Sequence, residues 1–174
     1  MPRVDEAWTL GTFAGNGDPR SSREGVMDLG QLKRHWNAFG KTDPLWAIIA
    51  LPDKKGNKWD MDEFFDRGEA EIGSVMAYAR QLPVSFRSRR ALDFGCGVGR
   101  LTQALTARFD ELVGVDVAPS MIRLARRYNR HGRRCRYVVN GEDNLRLFPS
   151  DHFDFVYSNM VLQHMRPAYA KAYI

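Results

Sequence analysis

Leu29, Leu32, Trp36 and Phe39 recur at spacings of three and four, the apolar stripe of an amphipathic helix, and Gly40 is predicted to end it. A short second helix is predicted after Asp43-Pro44, carrying Leu45, Trp46, Ile48 and Ile49. Residues 52–58 read as a polar turn, and a longer helix is predicted over 60–81 with Phe65, Ile72, Met76 and Ala79 along one face. After Pro83 the period changes, and short apolar runs alternate with helical stretches. Strands are predicted at 91–94, 111–115, 136–139 and 153–157, with helices at 100–109 and 119–130. Apolar runs this short, separated by helices, describe parallel strands covered on both faces, which makes the fold class α/β with an open sheet. The chain therefore divides into a flexible arm (1–27, rich in Gly, Ser, Thr and Pro), a helical section (28–82) and a sheet-forming domain (83–174).

Composition adds exclusions. No run of about 18 apolar residues exists to cross a bilayer. The first six residues, Met1-Pro2-Arg3-Val4-Asp5-Glu6, carry acidic side chains and lead into no apolar segment, so a cytoplasmic protein is expected. Cys96 and Cys135 lack the paired spacing of a zinc site and are too few for a disulfide framework; no metal is implied. The net charge of +5 is concentrated, because seven arginines (123, 126, 127, 130, 133, 134 and 136) fall within fourteen residues. Such a run can grip phosphates, but Met121, Ile122, Leu124, Ala125 and Tyr128 interleave as the apolar face of a helix, and no base-stacking aromatics accompany the charges. Nucleic acid is thus a possible partner without being the favoured one.

The sharpest signal is Leu92-Asp93-Phe94-Gly95-Cys96-Gly97-Val98-Gly99-Arg100, between a strand and a helix. Glycine at every second position lets the backbone turn tightly and approach a ligand where a β-carbon would collide. The loop also opens onto a predicted helix N-terminus, whose free N–H groups favour a carboxylate. A dinucleotide fingerprint reads G-x-G-x-x-G; here the third glycine comes one residue early, after an acidic residue. That spacing resembles motif I of class I S-adenosylmethionine-dependent methyltransferases, whose fold is Rossmann-like. The resemblance implies that Asp93, Gly95, Cys96, Gly97 and Gly99 surround the methionine part and ribose of S-adenosylmethionine.

Later segments extend the resemblance. Leu112-Val113-Gly114-Val115-Asp116 ends in a carboxylate 21 residues after Gly95, at the place where doubly wound folds bind ribose hydroxyls. Val117 and Met121 are then expected beside the adenine. Asn140-Gly141-Glu142-Asp143 stands where the family binds the adenine edge; relatives often have Asp at the position of Gly141, so Glu142, Asp143 or the backbone takes that contact here. The stretch Phe153-Asp154-Phe155-Val156-Tyr157-Ser158-Asn159 resembles motif IV, with Ser158 and Asn159 near the sulfonium. Neither Asn-Pro-Pro-Tyr nor Asp-Pro-Pro-Tyr occurs, which argues against branches that methylate an amino group of adenine or glutamine. His164 is a candidate general base, or a packing histidine. Phe65 and Gly68, in a segment resembling the family's lid, are expected to border the cofactor.

The resemblance implies a seven-stranded sheet, of which four strands are recognisable, so the chain is expected to be a piece of a longer protein. Its fourth strand would form an apolar edge prone to self-association, and the piece is expected to bind cofactor with weak or no turnover. The implied function is methyl transfer to a small-molecule acceptor, S-adenosylhomocysteine being the product. The alternatives are a nucleic-acid methyltransferase of the same fold and a non-catalytic S-adenosylmethionine-binding protein. All depend on the 95–99 turn and Asp116 converging at a place that a ligand can reach.

Overall fold

The computed structural model describes residues 28–173; the arm at 1–27 lies outside the described residues. Four parallel strands lie in the order β3-β2-β1-β4: β1 (Arg90–Phe94), β2 (Glu111–Asp116), β3 (Cys135–Val139) and β4 (Phe155–Tyr157). Leu92 of β1 stands opposite Val113 of β2 and Val156 of β4, and Val115 of β2 stands opposite Val138 of β3. The central strands are buried on both faces, as continuous apolar runs require, whereas β3 and β4 are partly exposed edges.

Side chains alternate across the sheet. Ala91 and Leu112 face a layer built by α3 (Met61–Ala79), α4 (Arg100–Ala104) and α5 (Pro119–Tyr128), where Ile72, Leu101, Leu105, Phe109 and Ile122 complete one core. Leu92, Phe94, Val113 and Val115 face the other way, toward Phe148, Phe153 and α6 (Pro167–Tyr173). A third cluster joins Phe64 and Phe65 of α3 to Val98, Met121 and the short α2 (Pro44–Ile48).

Helix starts follow the local chemistry. Asp28 and Gln31 form a reciprocal capping box at the head of α1 (Leu29–Thr42), with bonds of 2.7 and 2.9 Å. Asp60 caps α3 through the Glu63 N–H at 2.9 Å. Two expectations require correction. Gly40 does not end its helix: α1 runs to Thr42, and a β-carbon on Gly40 would lie 2.2 Å from Ser120 Oγ, so this glycine lets α1 and α5 touch. The helix expected over 100–109 is α4, five residues followed by a 3-10 turn at Leu105–Ala107, too short for a strong dipole at the glycine turn.

α1 lies across the carboxyl ends of the strands. Its Asn37 accepts from the Ser120 N–H at 3.0 Å, just after β2. Trp36 meets the His164 ring edge-on at 5.6 Å, after β4. Lys33 Nζ sits 3.4 Å from where a β-carbon of Gly141 would be, after β3.

Candidate functional site

Open parallel sheets bind ligands beyond the carboxyl ends of their strands, where connections leave to opposite sides. That place falls between β1 and β4 here, and the glycine turn leaves β1 there. Gly95, Gly97 and Gly99 have φ of +78°, +53° and +85°, a region other residues enter only under strain. The Gly95 and Cys96 N–H groups both donate to Val115 O, at 2.8 and 2.9 Å, wrapping the turn over the end of β2.

The turn and Asp116 do converge. Gly97 N–H donates to Asp116 Oδ2 at 2.9 Å and Ala118 N–H to Oδ1 at 2.8 Å. Burial raises the Asp116 pKa to about 6 even though the amides of Ala118 and Gly97 pull it down. A carboxylate offers roughly four acceptor positions, so two remain beyond these amides. A vicinal diol is the group that such a pair of free lone pairs suits, and the residues present fit a ribose.

Access is another matter. A β-carbon on Gly97 would lie 2.7 Å from Ile48 Cδ1, and one on Gly95 would lie 2.2 Å from Val161 Cγ2. Two aliphatic side chains, from α2 and from the segment after β4, therefore rest on the turn, and a ligand must displace them. Clefts of about 360 and 770 Å³ occur elsewhere, one beside Arg90 and Arg136 and one between residues 143–153 and Tyr173; neither touches the turn. The turn is thus covered by α2 and by the segment after β4. Phe65 and Gly68 of α3, expected at the cofactor, instead pack inward: Phe65 against Phe64 and Tyr128, Gly68 against Arg100, whose carbonyl would stand 2.9 Å from an added β-carbon.

Other expected residues divide by the direction of their side chains. Asp93 faces the α4 layer, not the crevice, because strand alternation turns it there; it is 1% exposed and accepts from Thr102 Oγ1 at 2.6 Å. Burial pushes its pKa up to about 6. Met121 is likewise turned into the core by the helical period, fully buried beside Val98 and Phe64. Cys96 brings only its backbone to the turn, its thiol being buried against the sheet. Gly99 serves packing: a β-carbon would meet the Tyr137 ring at 2.8 Å.

Val117 is partly buried at the end of β2 against the second core. The turn at 140–143 is organised by Asn140, the first residue of that stretch. Its N–H donates to Asp116 O at 3.0 Å, its Nδ2 to Asn144 O at 2.8 Å, and its Oδ1 accepts from the Glu142 N–H at 3.2 Å. Asp143 accepts from Asn144, and Tyr173 donates to the Glu142 carbonyl. Ser158 Oγ donates to Phe94 O at 3.1 Å, which fixes the end of β4 beside the turn. His164 is half-buried, and burial lowers its pKa.

Glu71 of α3 was not flagged by the sequence and joins both walls of the crevice. Its Oε2 accepts from Arg100 Nη2 at 2.9 Å, and its Oε1 accepts from Tyr157 Oη at 2.9 Å and from Asn159 Nδ2 at 2.6 Å. No periodicity marks it, since its partners lie 29 to 88 residues away. Of the seven arginines at 123–136, three bind protein acceptors: Arg126 the carbonyl of Tyr137, Arg130 the Asp62 carboxylate, and Arg134 the carbonyls of Thr106 and Phe109.

Comparison with known proteins agrees with this geometry. Residues 91–174 match the family described as a methyltransferase domain. The chain is 40% identical over 83 residues to a malonyl-[acyl-carrier protein] O-methyltransferase of Halorhodospira halophila, a stretch covering 47% of this chain and 28% of that one. It is 28% identical over 131 residues to a ubiquinone biosynthesis O-methyltransferase of Cereibacter sphaeroides, covering 75% and 48%. The matches thus span less than half the length of these relatives. The fold is shared with Haemonchus contortus phosphoethanolamine N-methyltransferase 1, solved with phosphoethanolamine and S-adenosylhomocysteine, at a TM-score of 0.60 and 15% identity over 84% of this chain and 30% of that one. Residues 91–174 are thus similar in sequence to a methyltransferase domain, and the parallel sheet they build is shared with a methyltransferase solved with S-adenosylhomocysteine.

Proposed function

We propose that this chain binds S-adenosylmethionine at the carboxyl ends of β1, β2 and β4, and that the protein to which it belongs transfers the methyl group to a small-molecule acceptor. The observation that carries this reading is the Asp116 carboxylate, clasped by Gly97 and Ala118 amides at 2.9 and 2.8 Å beside a turn of left-handed glycines. Asp116 accepts from the ribose hydroxyls. The backbone of Gly95, Cys96 and Gly97 receives the methionine part once Ile48 and Val161 withdraw. Val117 and the 141–143 turn border the adenine, with Glu142 and Asp143 as acceptors for its amino group. Ser158 and Asn159 border the reacting centre.

When bound, the cofactor supplies a methyl group already activated on a sulfonium, so the protein's main task is alignment and exclusion of water. A general base is optional for such a transfer. His164 is neutral at pH 7 given its lowered pKa, yet its ring is held edge-on against Trp36, an arrangement that favours packing over proton transfer. Both curated relatives above are named as O-methyltransferases, which supports a small acceptor. The nucleic-acid alternative is weakened by the three arginines already bound to protein acceptors.

Titration calorimetry with S-adenosylhomocysteine tests the reading. One saturable site is expected, weakened at least tenfold by Asp116→Ala. Absence of binding by a chain whose folding has been verified overturns it.

A further inference from the structure

Glu71 is the one charged side chain among the described site residues that touches both sides of the switch point between β1 and β4. Its two oxygens divide the work. Oε2 holds Arg100, the residue that follows Gly99 and closes the glycine turn; its side chain is 8% exposed, with the guanidinium 5.9 Å from the Phe64 ring and Cγ against the bare backbone of Gly68. Oε1 holds Tyr157 and Asn159, consecutive same-face residues at the end of β4. Gly68 and Glu71 lie three apart on α3 and so share one face of that helix.

A carboxylate only accepts hydrogen bonds, so Glu71 dictates which end of the Asn159 amide faces it. The NH₂ group turns to Glu71, and the carbonyl oxygen is left as an acceptor on an exposed side chain, next to Ser158 and two residues before the Val161 that rests on Gly95. An acceptor at that point suits a ligand bearing N–H or N⁺–H donors. Within the proposed cofactor this is the α-ammonium group of the methionine part, which the glycine turn would adjoin. We infer that Glu71 is a positioning residue: it orients Asn159 to accept from the ligand's ammonium group and, through Arg100, ties that acceptor to the glycine turn.

The inference rests on the cofactor reading above, and a double-mutant cycle separates the two. Affinity for S-adenosylhomocysteine, which keeps the ammonium group, is measured by calorimetry for the wild-type chain, Glu71→Gln, Asn159→Ala and the double variant, with tryptophan-fluorescence unfolding as the check on folding. Asn159→Ala removes the hydrogen bond to a charged group, worth about tenfold in affinity, and Glu71→Gln, which presents a donor as well as an acceptor, removes what fixes its orientation and is expected to lose affinity up to the same extent. If Glu71 acts through Asn159, the double variant binds no more weakly than Asn159→Ala alone. Multiplicative losses, or unchanged affinity in Asn159→Ala, overturn the positioning role while leaving the cofactor reading intact. No binding by the wild-type chain overturns both. Should Glu71→Gln unfold because Arg100 is left buried without its partner, Glu71→Asp completes the cycle: it keeps the charge beside Arg100 but is one methylene too short to span both walls.

Discussion

Asp116 is pulled in two directions, burial favouring its neutral form and the Ala118 and Gly97 amides favouring the carboxylate, with a resulting pKa of about 6. Accepting from two hydroxyls requires the ionised form. Affinity for S-adenosylhomocysteine is therefore expected to rise from about pH 5 to about pH 7, with its midpoint near 6, and Asp116→Asn is expected to lower and flatten the profile. A flat wild-type profile would contradict this. Asp93 shows the same raised pKa for a structural reason, its burial beside Thr102. Because its folded-state pKa exceeds the ordinary carboxylate value of 3.8, the folded protein binds the extra proton. That stabilisation is complete below about pH 4 and disappears as pH rises through about 6. Urea midpoints should fall over this window, and Asp93→Asn, which keeps an acceptor for Thr102, should make the fall shallower.

Among the helices, α1 shows how a local rule is overridden by packing. Alanine normally stabilises a helix by up to about 1 kcal/mol relative to glycine, so Gly40→Ala ought to help. Yet its β-carbon would stand 2.2 Å from Ser120 Oγ, 2.9 Å from Ser120 Cβ and 3.1 Å from the Met121 backbone nitrogen. Ser120 cannot swing away freely, since its Oγ donates to Asn37 O at 2.8 Å. Overpacking of this type costs about 1–3 kcal/mol, and it outweighs propensity. A net loss of about 1 kcal/mol or more is expected by urea unfolding. An increase in stability would show that α1 does not dock on α5 this closely. The same contact holds α1 over the strand ends, so Gly40→Ala should also loosen α1 there.

In the molecule as a whole, the sheet is well covered at its centre and open at one side. Among the described residues β4 pairs with β1 only, and Val156 is 57% exposed. Val84 and Phe86 add exposed apolar surface, the Phe86 ring lying 5.2 Å from that of Phe155 at a tilt of 39°. An unprotected apolar edge is a template for pairing with another chain. Sedimentation velocity is expected to show concentration-dependent association that Val156→Lys suppresses; a strictly monomeric wild-type chain would refute this. No helix among the described residues is long and apolar enough to cross a membrane.

The order of elements and the parallel α/β character were legible in the sequence because each is written locally, and the pairing of the glycine turn with Asp116 was what the family resemblance implied. The left-handed turn at 95–99 favours glycine, and strands buried on both faces favour unbroken apolar runs. Side-chain direction was less legible: Asp93 and Met121 stand at the expected places in the chain but point into the core, since the face each shows is set by what packs on the sheet. What covers the turn, Ile48 and Val161, and what ties its two walls, Glu71, depended wholly on tertiary structure. Contacts between residues 29 to 88 positions apart follow from how the layers stack, and no spacing along the chain encodes them.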